Sequence, residues 1–211
     1  MTLPLPLRNR LAELILDAFR DEDARAVLDA LSHYCEGGAS TGASLPAGFP
    51  VEFFDQREGG LVLKGAYRRF SDALCDRVGR GWTVVRDRPL SGRAPSLSQA
   101  LDEAALLFEA RLDFEVHELL EPFWMAAQGP TRETLQGLIQ AAVGYHHLAN
   151  GNLEGARTLL LEGSAKLLGR RLEGRDLDAF ARAVRRSVDG IGGQAGEKFD
   201  WSRVPAFPRG S

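Results

Sequence analysis

The run Phe114-Glu115-Val116-His117-Glu118-Leu119-Leu120-Glu121-Pro122-Phe123-Trp124 sets an imidazole and a carboxylate four residues apart between large aromatics. Residues three and four apart share one face of a helix. Ala110, Phe114, His117, Glu121 and Trp124 therefore form a stripe that is unusual for a solvent face. A His and a Glu at that spacing can share a divalent ion, as in metal sites of bundle cores. Such sites draw on three or four His or acidic ligands. Glu118 and His147 are the further candidates, and a second carboxylate beside the ion would act as general base. The motif His-Glu-x-x-Glu lacks the second His of the zinc-protease helix.

A second polar line runs through Gln136 and Gln140, continued by Val143 and His147. Counted from the turn near Gly129, His117 lies 12 residues back and Gln140 lies 11 forward. Glu121 and Gln136 match in the same way, and His147 sits roughly 9 Å further along the axis. Counted from Gly151, Glu162 falls level with Gln140, with Lys166 nearby. The spacing predicts a layer of His117, Glu121, Gln136 and Gln140. A Gln amide can donate to a carboxylate and accept from imidazole. Gln is a poor metal ligand, so the layer reads first as a buried hydrogen-bond network fixing helix register, and second as a metal site at His117 and Glu121.

Those residues need helices. Leu101, Ala105, Phe108, Leu112 and Leu119 predict one helix over 98–127 with Ser98 as N-cap. Pro122 should bend it. Gln128-Gly129-Pro130 breaks the run. A second helix covers 131–149 and a third 153–169, separated by Asn150-Gly151-Asn152. Short connections make the three antiparallel. Leu177, Phe180, Ala181, Val184 and Val188 predict one more helix, and Trp201 and Phe207 are placed to pin the tail back. Gly151, Gly155 and Gly163 read as turn or close-packing residues.

Residues 7–36 read as helical, with a second start at Asp21-Glu22-Asp23. Residues 37–50 are a Gly/Ser/Ala/Pro loop. Val51–Phe54 and Leu61–Leu63 predict strands joined by a turn over 56–60. Residues 66–78 predict a helix, Trp82–Val85 a third strand, and 89–95 a linker. This helix–helix–hairpin order admits a winged-helix reading, which requires a basic recognition helix. Residues 1–97 instead balance 13 basic against 13 acidic side chains.

The whole chain has 211 residues, net charge −3 and 44% hydrophobic residues, so it can bury a core unaided. That balance disfavours nucleic acid, and the Arg68, Arg69, Arg77, Arg80, Arg86 and Arg88 group reads as a solvated surface. No apolar stretch approaches the ~20 residues of a membrane span. The N-terminus does not read as a signal peptide. Cys35 and Cys75 form no CxxC pair and read as free, packed thiols of a cytoplasmic protein.

The segments Phe108-Glu109-Ala110, Phe114 to Trp124, Leu135-Gln136-Gly137-Leu138-Ile139-Gln140, His146-His147 and Gly151 to Ala156 together resemble domain-of-unknown-function family 309 over roughly residues 100–170. The resemblance rests on a His-Glu-x-x-Glu-x-x-Trp helix, here His117, Glu118, Glu121 and Trp124, then a Gln-Gly-x-x-Gln helix and a Gly-Asn turn. Pro122 departs from that pattern. The resemblance implies a prokaryotic helical bundle and supplies no activity.

The expected fold is mainly α: a small α+β domain over 1–95, then a three-helix antiparallel bundle with an additional C-terminal helix over 96–211. The expected function is a non-enzymatic binding or interaction module with a structural His/Glu/Gln layer, its partner a protein or small molecule. The alternative is a divalent-metal binder or metal-dependent hydrolase centred on His117 and Glu121. Sequence fixes neither the partner nor the oligomeric state.

Overall fold

The computed structural model describes residues 2–37, 45–57, 60–92, 94–192 and 199–210. The chain is mainly α-helical and divides into two units, Met1–Ala94 and Pro95–Ser211. Part of the 37–50 loop, the tip of the 56–60 turn, and part of the Gly-rich stretch before Trp201 lie outside the described residues.

In the first unit, α1 (Leu5–Asp17) buries Leu7, Leu11, Leu14 and Ile15. α2 (Glu22–Cys35) starts where its acidic residues predict. Asp21 caps it by accepting from the Ala24 amide, and Glu22 and Asp23 face the positive end of the helix dipole. β1 (Phe54–Arg57) and β2 (Gly60–Leu63) pair antiparallel with Phe54 opposite Leu63. Val51–Phe53 is a 3-10 turn, so the first strand begins later than its β-branched start suggests.

α3 (Ser71–Val85) absorbs the expected strand at Trp82–Val85. Leu74, Val78, Gly81 and Val85 continue one helical face, and that period outweighs the local β propensity of two valines. A Cβ on Gly81 would lie 2.7 Å from Ile15 Cγ1, so the glycine admits α1 to α3. Cys35 and Cys75 are not free thiols. They form a disulfide, with Cα atoms 5.3 Å apart, joining the end of α2 to the early part of α3. No local motif marks a pair separated by 40 residues; the packing of α2 on α3 makes it.

The expected basic group is committed locally. Arg80 pairs with Asp76 and Arg86 with Asp87, Arg69 lies over Phe70, and Arg88 donates to the Val84 carbonyl.

In the second unit, the expected helix over 98–127 is two helices, α4 (Leu97–Glu109) and α5 (Asp113–Ala126). α4 is capped by Ser96, not Ser98, in a capping box with Gln99. The break falls at Arg111, whose φ is +59°. A non-glycine residue pays for that conformation in sterics. Arg111 is held there from afar: its guanidinium donates to the Trp201 carbonyl at 2.9 Å and lies 4.9 Å from the Trp201 ring. Without Gly or Pro at 110–112, the apolar period runs straight through the break, and the sequence hides it. Pro122, in contrast, is accommodated within α5.

α6 (Gly129–Ala149) and α7 (Leu153–Leu167) follow, with Gly151 at φ +78° in the turn and Asn152 capping α7. α6 packs against both α5 and α7. A two-residue hairpin, β3 (Arg171–Leu172) and β4 (Arg175–Asp176), then turns through Glu173 and Gly174, both at positive φ. α8 (Asp178–Val188) packs on α7. Phe207 is buried, its ring 5.4 Å from Phe108 and 5.6 Å from Phe180, so the tail is pinned as expected. Trp201 stays 37% exposed against Arg111.

Candidate functional site

α5 presents its chemistry on one flank. Phe114, Val116, Leu119 and Leu120 face the core. His117, Glu118 and Glu121 emerge beside them, with 28%, 38% and 41% of their side chains exposed. His117 Nδ1 lies 3.2 Å from Glu118 Oε1, and its Nε2 lies 3.9 Å from Glu121 Oε1. One ligand atom from each residue falls within 4.8 Å of the others. Phe114 backs the imidazole, ring to ring at 6.1 Å, and lies 6.0 Å from His146.

The Gln residues do something else. Gln140 Nε2 donates to Glu162 Oε2 at 2.8 Å, and Lys166 Nζ donates to Gln140 Oε1 at 2.8 Å. The level predicted for Gln140 and Glu162 is the observed one. This chain crosses from α6 to α7, away from α5. Gln136 lies one turn earlier on α6 and is half-buried. The single layer expected from spacing is thus two groups, an α6–α7 crosslink and a partly exposed cluster on α5. Ala110 drops out of the α5 stripe because it caps α4.

His147 belongs to the α6–α7 turn. Its Nδ1 accepts from Asn152 Nδ2 at 2.8 Å, while Asn152 Oδ1 accepts from the Gly155 amide at 3.0 Å. That pair fixes the Asn amide and leaves the histidine proton on Nε2. His147 stands outside the metal-capable group found among the described residues. Trp124 is engaged with Arg132, whose guanidinium carbon sits 4.3 Å from the ring centroid. Arg132 also donates to the Trp124 and Met125 carbonyls at 2.9 and 3.2 Å, closing the end of α5.

Sequence reasoning passed over a second polar group. Asp113 and Glu115, in the first turn of α5, are 3% and 0% exposed. Their visible signal was two acids at a helix start, which the merged helix concealed. Tyr145 is fully buried and its hydroxyl lies 2.7 Å from Ser187 Oγ. Burial pushes its phenol up to about 12, and the Ser187 bond offsets part of that rise. The unfolded phenol ionises near 10, so this contribution is intact below pH 10 and is lost as pH climbs toward 12. Denaturant unfolding across that window should show a decline of roughly 2–3 kcal/mol. The decline should vanish in Tyr145→Phe; its persistence there would assign it to another group.

A hard or borderline divalent ion suits the α5 cluster. Ligands ~2.0–2.2 Å from a tetrahedral ion sit a little over 3 Å from one another, close to the His117–Glu118 separation. Two carboxylates and a neutral imidazole would balance its charge. The imidazole would offer the ion one nitrogen beside the two carboxylates.

Residues 101–159 match the family model of a domain of unknown function, DUF309. The match runs from α4 through α5 and α6 into α7, so His117, Glu118, Glu121, Gln136 and Gln140 all lie within the DUF309 segment. No curated protein and no solved structure matches the chain. Among the described residues, no helix is long and apolar enough to cross a membrane.

Proposed function

We propose that the C-terminal unit is a helical binding module that takes a divalent metal ion at His117, Glu118 and Glu121. The observation carrying this reading is convergence without burial. Three ligand atoms from one helix lie within 4.8 Å of one another, on side chains between one quarter and one half exposed. A register-fixing layer would be buried and would link helices. The Gln140–Glu162–Lys166 chain supplies that link between α6 and α7, whereas the ion pairs of His117 with Glu118 and Glu121 stay within α5. Three protein ligands leave coordination positions open, so the ion would present itself to a small molecule or a partner's side chain. Trp124 contributes by packing on Arg132 and holding the end of α5, not as a ligand.

Titration of the full-length protein with zinc, manganese or nickel tests this directly. The expected result is close to one ion per chain. His117→Ala should weaken uptake by at least about tenfold, with thermal stability of the metal-free protein little changed. No uptake by the folded protein, or equal uptake by the variant, would return the cluster to an ordinary exposed polar surface.

A further inference from the structure

The disulfide of the first unit lies at a particular place. Cys35 ends α2, and the residue before it, Tyr34, carries the β1–β2 hairpin. The Leu63 amide donates to the Tyr34 hydroxyl at 3.4 Å, and the Tyr34 ring meets Phe54 edge-on at 5.3 Å. Phe54 in turn meets Phe49 at 5.3 Å, and Phe53 meets Tyr67 at 5.1 Å. Phe49, Phe53, Phe54 and Leu63 are all buried.

The helices have a packing of their own. α1, α2 and α3 pack on one another with Leu11, Ile15, Leu28, Leu31, Leu74 and Val78 buried, and Gly81 lets Ile15 approach α3, while Phe53 and Phe54 line a small cavity beside Leu11, Leu31 and Leu74. Cys35 and Cys75 are both half-buried, so the bond lies at the edge of the packing and not sealed in the core. Disulfides of reducing compartments are as a rule transient or sensory, and lasting ones belong to oxidising compartments.

We propose that Cys35–Cys75 is a reversible thiol switch that controls whether the β1–β2 hairpin stays docked on α2. The co-reactant is a dithiol reductant. One of its thiolates attacks either sulfur, the Cys35–Cys75 bond breaks, and the departing thiolate takes up a proton. The reductant's second thiolate then attacks the mixed disulfide. The reductant ends oxidised as a cyclic disulfide, and Cys35 and Cys75 end reduced as two thiols. With the bond open, the last turn of α2 frays, as unsupported helix ends do. Tyr34 then loses its fixed position and the hairpin its dock, exposing Phe53, Phe54 and Leu63. The three-helix packing persists.

Hydrogen exchange on the full chain, with and without a dithiol, reads this out. In the oxidised protein, thiol labelling should find no free cysteine. Reduction should accelerate amide exchange in residues 49–57 and 60–67 by at least about tenfold, leaving α1 and the middle of α3 protected. Cys35→Ser should match the reduced protein and ignore the reductant. Three results would overturn the proposal: free thiols in protein prepared without reductant, equal hairpin exchange in both states, or exchange that rises equally throughout α1, α2 and α3. The last would make the bond a stabilising staple of the whole unit. Because Cys35→Ser could fail to fold, Cys75→Ser and reduced wild-type protein serve as independent comparisons.

Discussion

Gly163→Ala should destabilise the C-terminal unit by about 2–3 kcal/mol and lower its melting temperature by roughly 10 °C. A methyl carbon built at Gly163 would lie 2.8 Å from the Gly137 carbonyl oxygen, 3.1 Å from the Ala141 amide nitrogen and 3.1 Å from Gln140 Cβ. All three belong to α6 at or next to its backbone, and none can swing aside as a side-chain tip could. Relief requires α6 and α7 to move apart. That movement would also stretch the Gln140–Glu162 and Lys166–Gln140 bonds, both 2.8 Å. Alanine gains up to about 1 kcal/mol over glycine in helix propensity, which offsets only part of the clash. Gly79 in α3 provides the contrast, since its added Cβ meets nothing within 4 Å. Gly79→Ala should stabilise by roughly 0.5–1 kcal/mol. Equilibrium unfolding of both variants decides the matter. An unchanged or raised midpoint for Gly163→Ala would mean that the helices are not in close backbone contact.

The second large effect is expected at Arg175. Its side chain is 1% exposed, yet it carries a full charge. The guanidinium donates to Asp102 Oδ1 at 2.5 Å, to the Ser98 carbonyl at 3.1 Å and to the Glu173 carbonyl at 3.1 Å. One side chain thereby fastens the β3–β4 hairpin to α4. Arg175→Ala removes these bonds and leaves a cavity, an expected loss of about 3 kcal/mol. Asp102 is 59% exposed, so water can take over its solvation, and the value falls toward the low end for broken buried ion pairs. For the same reason Asp102→Asn should cost under about 1 kcal/mol. Urea midpoints compare the two. Equal losses would assign the effect to the ion pair in place of the buried guanidinium and its carbonyl partners.

Periodicity carried the helices of the second unit because their apolar faces repeat over many turns and their turns are punctuated by Gly and Asn. Counting residues from those turns placed Gln140 beside Glu162, since two straight helices joined by a tight turn leave little freedom of register. The same counting failed between His117 and Gln140. It assumed side chains directed at each other, whereas Gln140 turns to α7 and His117 to its own helix neighbours. What stayed hidden depended on distant partners. The Arg111 break is held by Trp201, the Arg175 anchor needs Ser98 and Asp102, and the disulfide joins residues 40 apart. None leaves a mark within a local window. The mistaken strand at Trp82–Val85 is the reverse case, in which a few β-branched residues were weighted above the longer helical period that contains them.

The Phe207 contact with Phe108 and Phe180 separates two notions of a module in this chain. The segment 101–159 that matches DUF309 stops midway along α7 and omits Gly163, Phe180 and Phe207. A fragment cut to those limits would keep Phe108 and Tyr145 while discarding two of the three rings that meet Phe108, and would keep Gly137 without the glycine it packs against. The unit of folding therefore reaches to the tail of the chain. Residues outside the matched segment are here part of the scaffold that covers its helices.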